Sequence, residues 1–248
     1  MTDIMKLLNK SYRNNIEKMG RRMQSDSEKE ITLIIANQNY SGWSMRAWLA
    51  LKKSGVSFSL VCLPLNTKKF QEEVSTWSPT GRLPVLIHGE SVIWDSLAII
   101  EYTNEAFGNN SLWPEHLSIK GHARSVAAEV HSGFMPLRRT LPFNCRAKDR
   151  SIVLSEDLQK DLARVESVIS DCINKSGGPW LFGKFSAADI MYIPLILRLQ
   201  TYNINLKEDT RRYASVVNTD PDVLIWCSAA ALEQETLESE EIGLVHHQ

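Results

Sequence analysis

The chain has 248 residues, with 28 Lys and Arg against 29 Asp and Glu for a formal charge of -1, 43% apolar and 23% charged side chains. That length holds one large domain or two small ones at about 150 residues each. The near-neutral balance excludes a protein built to coat nucleic acid, no apolar run approaches the roughly 18 residues of a membrane span, and the four cysteines, Cys62, Cys145, Cys172 and Cys227, form neither a disulfide framework nor a zinc-ligand spacing. The expectation is a soluble, cytoplasmic protein with no metal, no nucleic acid and no membrane among its partners.

Residues 1–30 differ from the rest. Positions 1–25 carry six basic and two acidic side chains and lack the continuous apolar core of a secretory signal. With few large apolar groups to offset ordering entropy, the segment reads as a disordered extension. The β-branched run at 31–36 predicts a strand covered on both faces. A polar loop follows over 37–42, then a helix over 44–54 with Gly55 at its stop position. A second strand is expected over 57–63, a polar helix over 67–77, two short strands over 84–88 and 91–94 joined at hairpin length, and a helix over 97–107. The order β-α-β-α-β-β-α begins with a parallel β-α-β unit and ends in an antiparallel pair, because the last connection is too short for a crossover.

Two features stand out. Pro84 opens a strand although proline cannot donate to a ladder, so its bond is cis, or the backbone there turns outward, or the strand is an edge. Asp95 and Ser96 lie where strand gives way to helix, a place that suits a helix cap and equally a carboxylate ligand met by free amide N–H groups.

After a linker around 109–114 the pattern becomes wholly helical. Amphipathic stripes predict helices over 118–137 and 152–174. Ser186 with Asp189 three residues later is a capping-box signature for an almost fully apolar helix running to Thr201, with Pro194 inside it. Asp220 followed by Pro221 starts another helix. The acidic tail after Leu232 is expected to fray.

A small mixed-sheet domain with a proline ahead of its third strand, joined to an all-helical domain, resembles the cytosolic glutathione transferase family. The resemblance covers 31–232 and rests on four markers in order: Asn39-Tyr40-Ser41-Gly42-Trp43-Ser44, Gly81-Arg82-Leu83-Pro84-Val85-Leu86, Asp95-Ser96, and Phe185-Ser186-Ala187-Ala188-Asp189. The serine-type loop is most similar to bacterial-type, zeta-like or theta-like branches. The implied fold is α/β plus all-α: a thioredoxin-like glutathione-binding domain with a mixed four-stranded sheet over 31–108, and an all-helical substrate domain over 117–235. The implied activity is conjugation of glutathione to a small electrophile, a detoxification chemistry, by a homodimer.

Glutathione attacks as its thiolate, and a free thiol titrates near 8.5. Lowering that value by two units takes about 2.7 kcal/mol of preferential thiolate stabilisation. A hydroxyl donor at a helix N-terminus supplies a hydrogen bond and the positive dipole end. The resemblance implies this role for Ser41, with Ser44 and Tyr40 as alternatives; no cysteine lies between Ile31 and Val61 to support a mixed-disulfide route. It further implies that Ser96 and the helix tip hold the γ-glutamyl carboxylate, that Asp95 lies near its amino group, that the Leu83-Pro84-Val85 backbone pairs with the cysteinyl unit through Val85, and that Arg82 takes the glycine carboxylate, where the alternative is a solvated surface charge. The electrophile site would be lined by His131, Phe134 and Arg138, with Arg138 or Arg146 orienting an anionic substrate and His131 donating a proton, against the plainer reading of solvated helix polarity. A non-catalytic binding protein and a glutathione-dependent isomerase, lyase or peroxidase are the other readings of the same pattern.

Overall fold

The computed structural model describes residues 30–109 and 111–243. The extension expected over 1–30 lies outside them, Glu30 apart. The first strand, β1 (Ile31–Ile35), is buried along its whole length. It pairs in parallel with β2 (Ser59–Cys62) and antiparallel with β3 (Val85–His88), which pairs antiparallel with β4 (Ser91–Trp94). The sheet order is β2-β1-β3-β4. Between the strands run α1 (Gly42–Ser54), α2 (Lys68–Trp77) and α3 (Ser96–Ala106). Strand side chains alternate between faces. Leu33, Ile35 and Leu86 therefore join Met45, Leu49, Ile99 and Ile100 of α1 and α3, while Ile34, Val85 and Ile87 meet Val74 and Phe70 of α2 on the other side. This is the mixed four-stranded domain that the pattern predicted. The strand expected from Pro84 starts one residue later, at Val85, after a cis Leu83–Pro84 bond.

The C-terminal part is helical: α4 (Leu117–Ser132), α5 (Met135–Thr140), α6 (Glu156–Ser176), α7 (Ala187–Thr201), α8 (Glu208–Thr219) and α9 (Pro221–Leu232). The single helix expected over 118–137 is broken. Phe134 takes a left-handed conformation (φ 56°, ψ 42°), and a Cβ on Gly133 would lie 2.7 Å from the Glu129 carbonyl oxygen. Apolar spacing runs straight through the break, which hid it. The helix expected from 152 begins at Glu156, because Ser155 caps it by accepting from Leu158 N–H at 3.3 Å and acidic Glu156 and Asp157 suit the first turn. The short, mostly polar α8, with only Thr210, Tyr213, Ala214 and Val217 buried, escaped the sequence pattern.

The expected capping box is present at α7. The buried Asp189 carboxylate accepts from Ser186 N–H (2.8 Å), Ser186 Oγ–H (2.9 Å), Leu181 N–H (3.0 Å) and Tyr213 O–H of α8 (3.0 Å). Burial pushes its pKa up to about 6 against the pull of those donors. Helix α7 is buried nearly all round and seats directly on the start of α1: a Cβ on Gly42 would come within 3.0 Å of Pro194 Cβ and 3.3 Å of the Phe143 ring. One apolar core thus runs through both halves.

Asp189→Ala removes the acceptor and strands its buried donors, so it should lower unfolding stability by about 3 kcal/mol or more in a denaturant titration; a loss under about 1 kcal/mol would refute this account of the box.

Candidate functional site

The N-termini of α1 and α3 open side by side beside the loop that precedes β3. At the tip of α1, Ser41 is the N-cap: its Oγ accepts from Ser44 N–H (3.1 Å) and donates to Ser44 Oγ (2.8 Å). Ser44 Oγ also accepts from Ala36 N–H (3.1 Å) and is fully buried, so this hydroxyl ties the end of β1 to α1. The Tyr40 hydroxyl turns the other way, donating to Glu241 Oε1 (2.7 Å) and accepting from Arg146 Nη2 (3.1 Å). Burial and the Glu241 carboxylate raise its pKa. The structure thus separates the three hydroxyls, and Ser41 alone lies at the helix tip with its proton on another hydroxyl rather than on a distant carboxylate.

At the tip of α3, Asp95 has φ 75° and caps the helix, its Oδ1 accepting from Leu97 N–H (2.9 Å) and Ala98 N–H (3.3 Å). Its Oδ2 lies 3.2 Å from Nε2 of His131 at the end of α4. Ser96 is buried, and its Oγ has no hydrogen-bond partner among the described residues. A buried hydroxyl without a partner is costly, so this one is suited to a ligand. Capping accounts for Asp95 but leaves the Ser96 hydroxyl over. Val85 opens β3 with register partners on both sides, Ile34 and Trp94. Leu83, before the ladder begins, has a backbone free of such bonds among the described residues. Arg82 is exposed, with its backbone anchored to Ser78 Oγ and its guanidinium without an ion pair among the described residues.

His131 and Arg138 meet on Trp43, a residue that was not among the candidates. The Trp43 indole meets the His131 ring edge-on at 5.5 Å and has the guanidinium carbons of Arg46 and Arg138 each 4.5 Å from its centroid. Burial lowers the His131 pKa, with the Arg46 and Arg138 charges adding to that and Asp95 opposing it. His131 is therefore neutral at pH 7, donating from Nε2 to Asp95. Arg138 is held by the carbonyls of Val130 and His131. Phe134 is buried at the α4–α5 break. Arg46 and Arg198 complete the group and were missed. The available signal was a lone arginine in each of two otherwise apolar helical runs, 45–51 and 190–199.

Residues 40–106 match the family model of the glutathione S-transferase N-terminal domain. The chain is similar to glutathione S-transferase L3 of Arabidopsis thaliana, 29% identical over 64% of this chain and 63% of that one, and to a probable maleylacetoacetate isomerase of Caenorhabditis elegans, 24% identical over 66% and 76%. Its fold matches a crystal structure of a glutathione transferase homolog from Burkholderia with bound glutathione (TM-score 0.63, 24% identity, 82% of this chain and 98% of that one). Residues 40–106 thus match a glutathione S-transferase N-terminal domain, and the chain beyond them shares the fold and a low-identity likeness of cytosolic glutathione transferases. The match spans less than two thirds of the length of the Arabidopsis relative.

The segment after α9 is not frayed as expected. Glu233 accepts from the backbone N–H groups of Gln38 (2.7 Å) and Asn39 (2.9 Å). Glu241 takes Tyr40 O–H and Asn144 Nδ2 (2.8 Å), and pairs with Arg150. Arg146, a candidate for orienting an anionic substrate, is instead engaged here, donating to the carbonyls of Glu233 and Glu235 (3.0 Å to the latter). Trp226 Nε1 of α9 donates to the Gln38 carbonyl (3.0 Å). The acidic composition of the tail is thus used to satisfy the loop that leads into Ser41. Glu233→Ala should release that loop: amide hydrogen exchange at Gln38 and Asn39 should quicken by about tenfold or more, and unchanged protection would show that the strap carries no energy.

Proposed function

We propose that the chain is a glutathione S-transferase that activates the glutathione thiol with the Ser41 hydroxyl and conjugates it to a small electrophile. The observation that supports this most is the Ser41 hydroxyl at the N-cap of α1, with the partnerless Ser96 hydroxyl at the neighbouring tip of α3. Ser41 accepts from Ser44 N–H, and that bond polarises its own O–H. Turning this proton from Ser44 Oγ to a bound thiolate needs only a hydroxyl rotation. The thiolate then has a hydrogen bond and a helix dipole in its favour. Ser96 and the α3 amides take the γ-glutamyl carboxylate, Asp95 its amino group, Leu83 the cysteinyl backbone and Arg82 the glycine carboxylate. The electrophile lies against Trp43, His131, Phe134 and Arg138. The protein acts in the cytoplasm as a homodimer, and light scattering should return twice the chain mass.

A second reading, a glutathione binder without transferase activity, is favoured by one detail: the Ser41 proton is already donated to Ser44. An isomerase is the third, through the name of the nematode relative. Ser41→Ala separates them. The ultraviolet thiolate band of bound glutathione should titrate about one to two units higher in the variant, and kcat/KM with 1-chloro-2,4-dinitrobenzene should fall about 100-fold. Tyr40→Phe should change it less than about threefold. Binding of glutathione with no lowered thiol pKa in the wild type would establish the binder; no glutathione binding would overturn both.

A further inference from the structure

Three arginines from three helices, Arg46 of α1, Arg138 of α5 and Arg198 of α7, line one narrow, partly open pocket with Trp43, Leu137 and Pro194, its cavity volume about 20 Å³. Their protein partners are backbone carbonyls: Met191 for Arg46 Nη2 (2.9 Å), Val130 and His131 for Arg138, and Leu141 for Arg198. Among the described residues none of the three has a carboxylate at ion-pair distance. Asp95 and Glu240 act on Arg46 and Arg198 only through space. Arg46 is buried, and its Nε and Nη1 have no hydrogen-bond partner among the described residues. Burial presses all three toward the neutral form, and repulsion from neighbouring arginines adds to it for Arg46, held well below its usual range, and for Arg198, lowered to about 10. A guanidinium nevertheless keeps its proton at neutral pH. Like charges gathered in a low-dielectric interior with no counterion are unfavourable, and carbonyl dipoles offset only part of that. The missing element is an anion.

We infer that this pocket binds a carboxylate, and that the electrophile conjugated by the enzyme carries one. The second half rests on the transferase reading; the first half does not. The carboxylate accepts from the unmet Arg46 donors and lies between Arg138 and Arg198. The apolar walls, Val130, Leu137, Pro194 and Leu195, together with the Trp43 ring, favour an anion attached to an apolar body over a bare inorganic ion. The pocket reaches Gly42, the residue after Ser41. A substrate anchored there by its carboxylate presents its other end toward the tip of α1, where the thiolate would form.

The test uses the full chain without glutathione. Calorimetric titration of the wild type with benzoate, its neutral analogue benzamide and inorganic phosphate needs no variant. Benzoate should bind saturably and benzamide about tenfold or more weakly, with phosphate no better than benzamide. Arg138→Gln and Arg198→Gln should each weaken benzoate about tenfold or more. With glutathione present, the ratio of kcat/KM for 4-chloro-3-nitrobenzoate to that for 1-chloro-2,4-dinitrobenzene should drop to a similar degree in Arg198→Gln. Equal binding of benzoate and benzamide, or benzoate binding indifferent to both substitutions, overturns the inference. Phosphate binding as tight as benzoate overturns the carboxylate assignment. Benzoate selectivity without any glutathione binding keeps the anion site and removes the transferase reading; glutathione turnover without benzoate selectivity does the reverse.

Discussion

The close seating of α1 on α7 at Gly42 governs the geometry of the site. With no side chain at that position, the first turn of α1 lies against Pro194 and Phe143, and α1 becomes a buried helix between the sheet and the helical domain. Ser41 caps the N-terminal end of that buried helix, where the free amides and the positive dipole end lie. A larger residue at 42 would separate the two halves of the core and move Ser41, Trp43 and Arg46 together.

Polar groups buried by that seating are handled in two ways. Those with structural duties are satisfied internally: Asp189 has four donors, Ser44 bridges β1 and α1, and Glu233 and Glu241 close the loop from behind. Others are left over: among the described residues Ser96 Oγ and two nitrogens of Arg46 have no partner, like several groups elsewhere such as Thr210 Oγ1 and Asn37 Nδ2. Buried polar groups are nearly always paired, so the Ser96 hydroxyl at the tip of α3 and Arg46 in its pocket are suited to a ligand. Asp95, His131, Trp43, Arg46 and Arg138 form a contiguous run of contacts from the tip of α3 to α1 and α5.

Legibility in the sequence followed the range of the interaction. The strands, α1 to α3, the capping box at Ser186 and the start at Asp220-Pro221 were readable, because periodicity and capping act over a few neighbouring residues. The break at Gly133-Phe134 was not, since the apolar spacing continues across it. Nor was α8, whose buried stripe is narrow. Asp95-Ser96 was legible as a candidate from its place before a helix and Ser41 from the family resemblance, whereas the engagement of the Tyr40 hydroxyl by Glu241 and Arg146, far along the chain, was not. Nor does the sequence say where a ladder begins beside a proline, here at Val85 rather than Pro84.

By itself, then, the amino-acid sequence determined the two-part architecture, the likeness to glutathione transferases and the helix starts at Asp95-Ser96 and Ser186. Only the tertiary structure decided that the Tyr40 hydroxyl is engaged by Glu241 and Arg146 while Ser41 caps α1, that the acidic tail straps the loop, and that Arg46, Arg138 and Arg198 share one pocket. The reason is that local patterns are set by the chain's own neighbours, while charge clusters without counterions arise from helices distant in sequence and made adjacent by burial. No spacing rule in one dimension records that proximity.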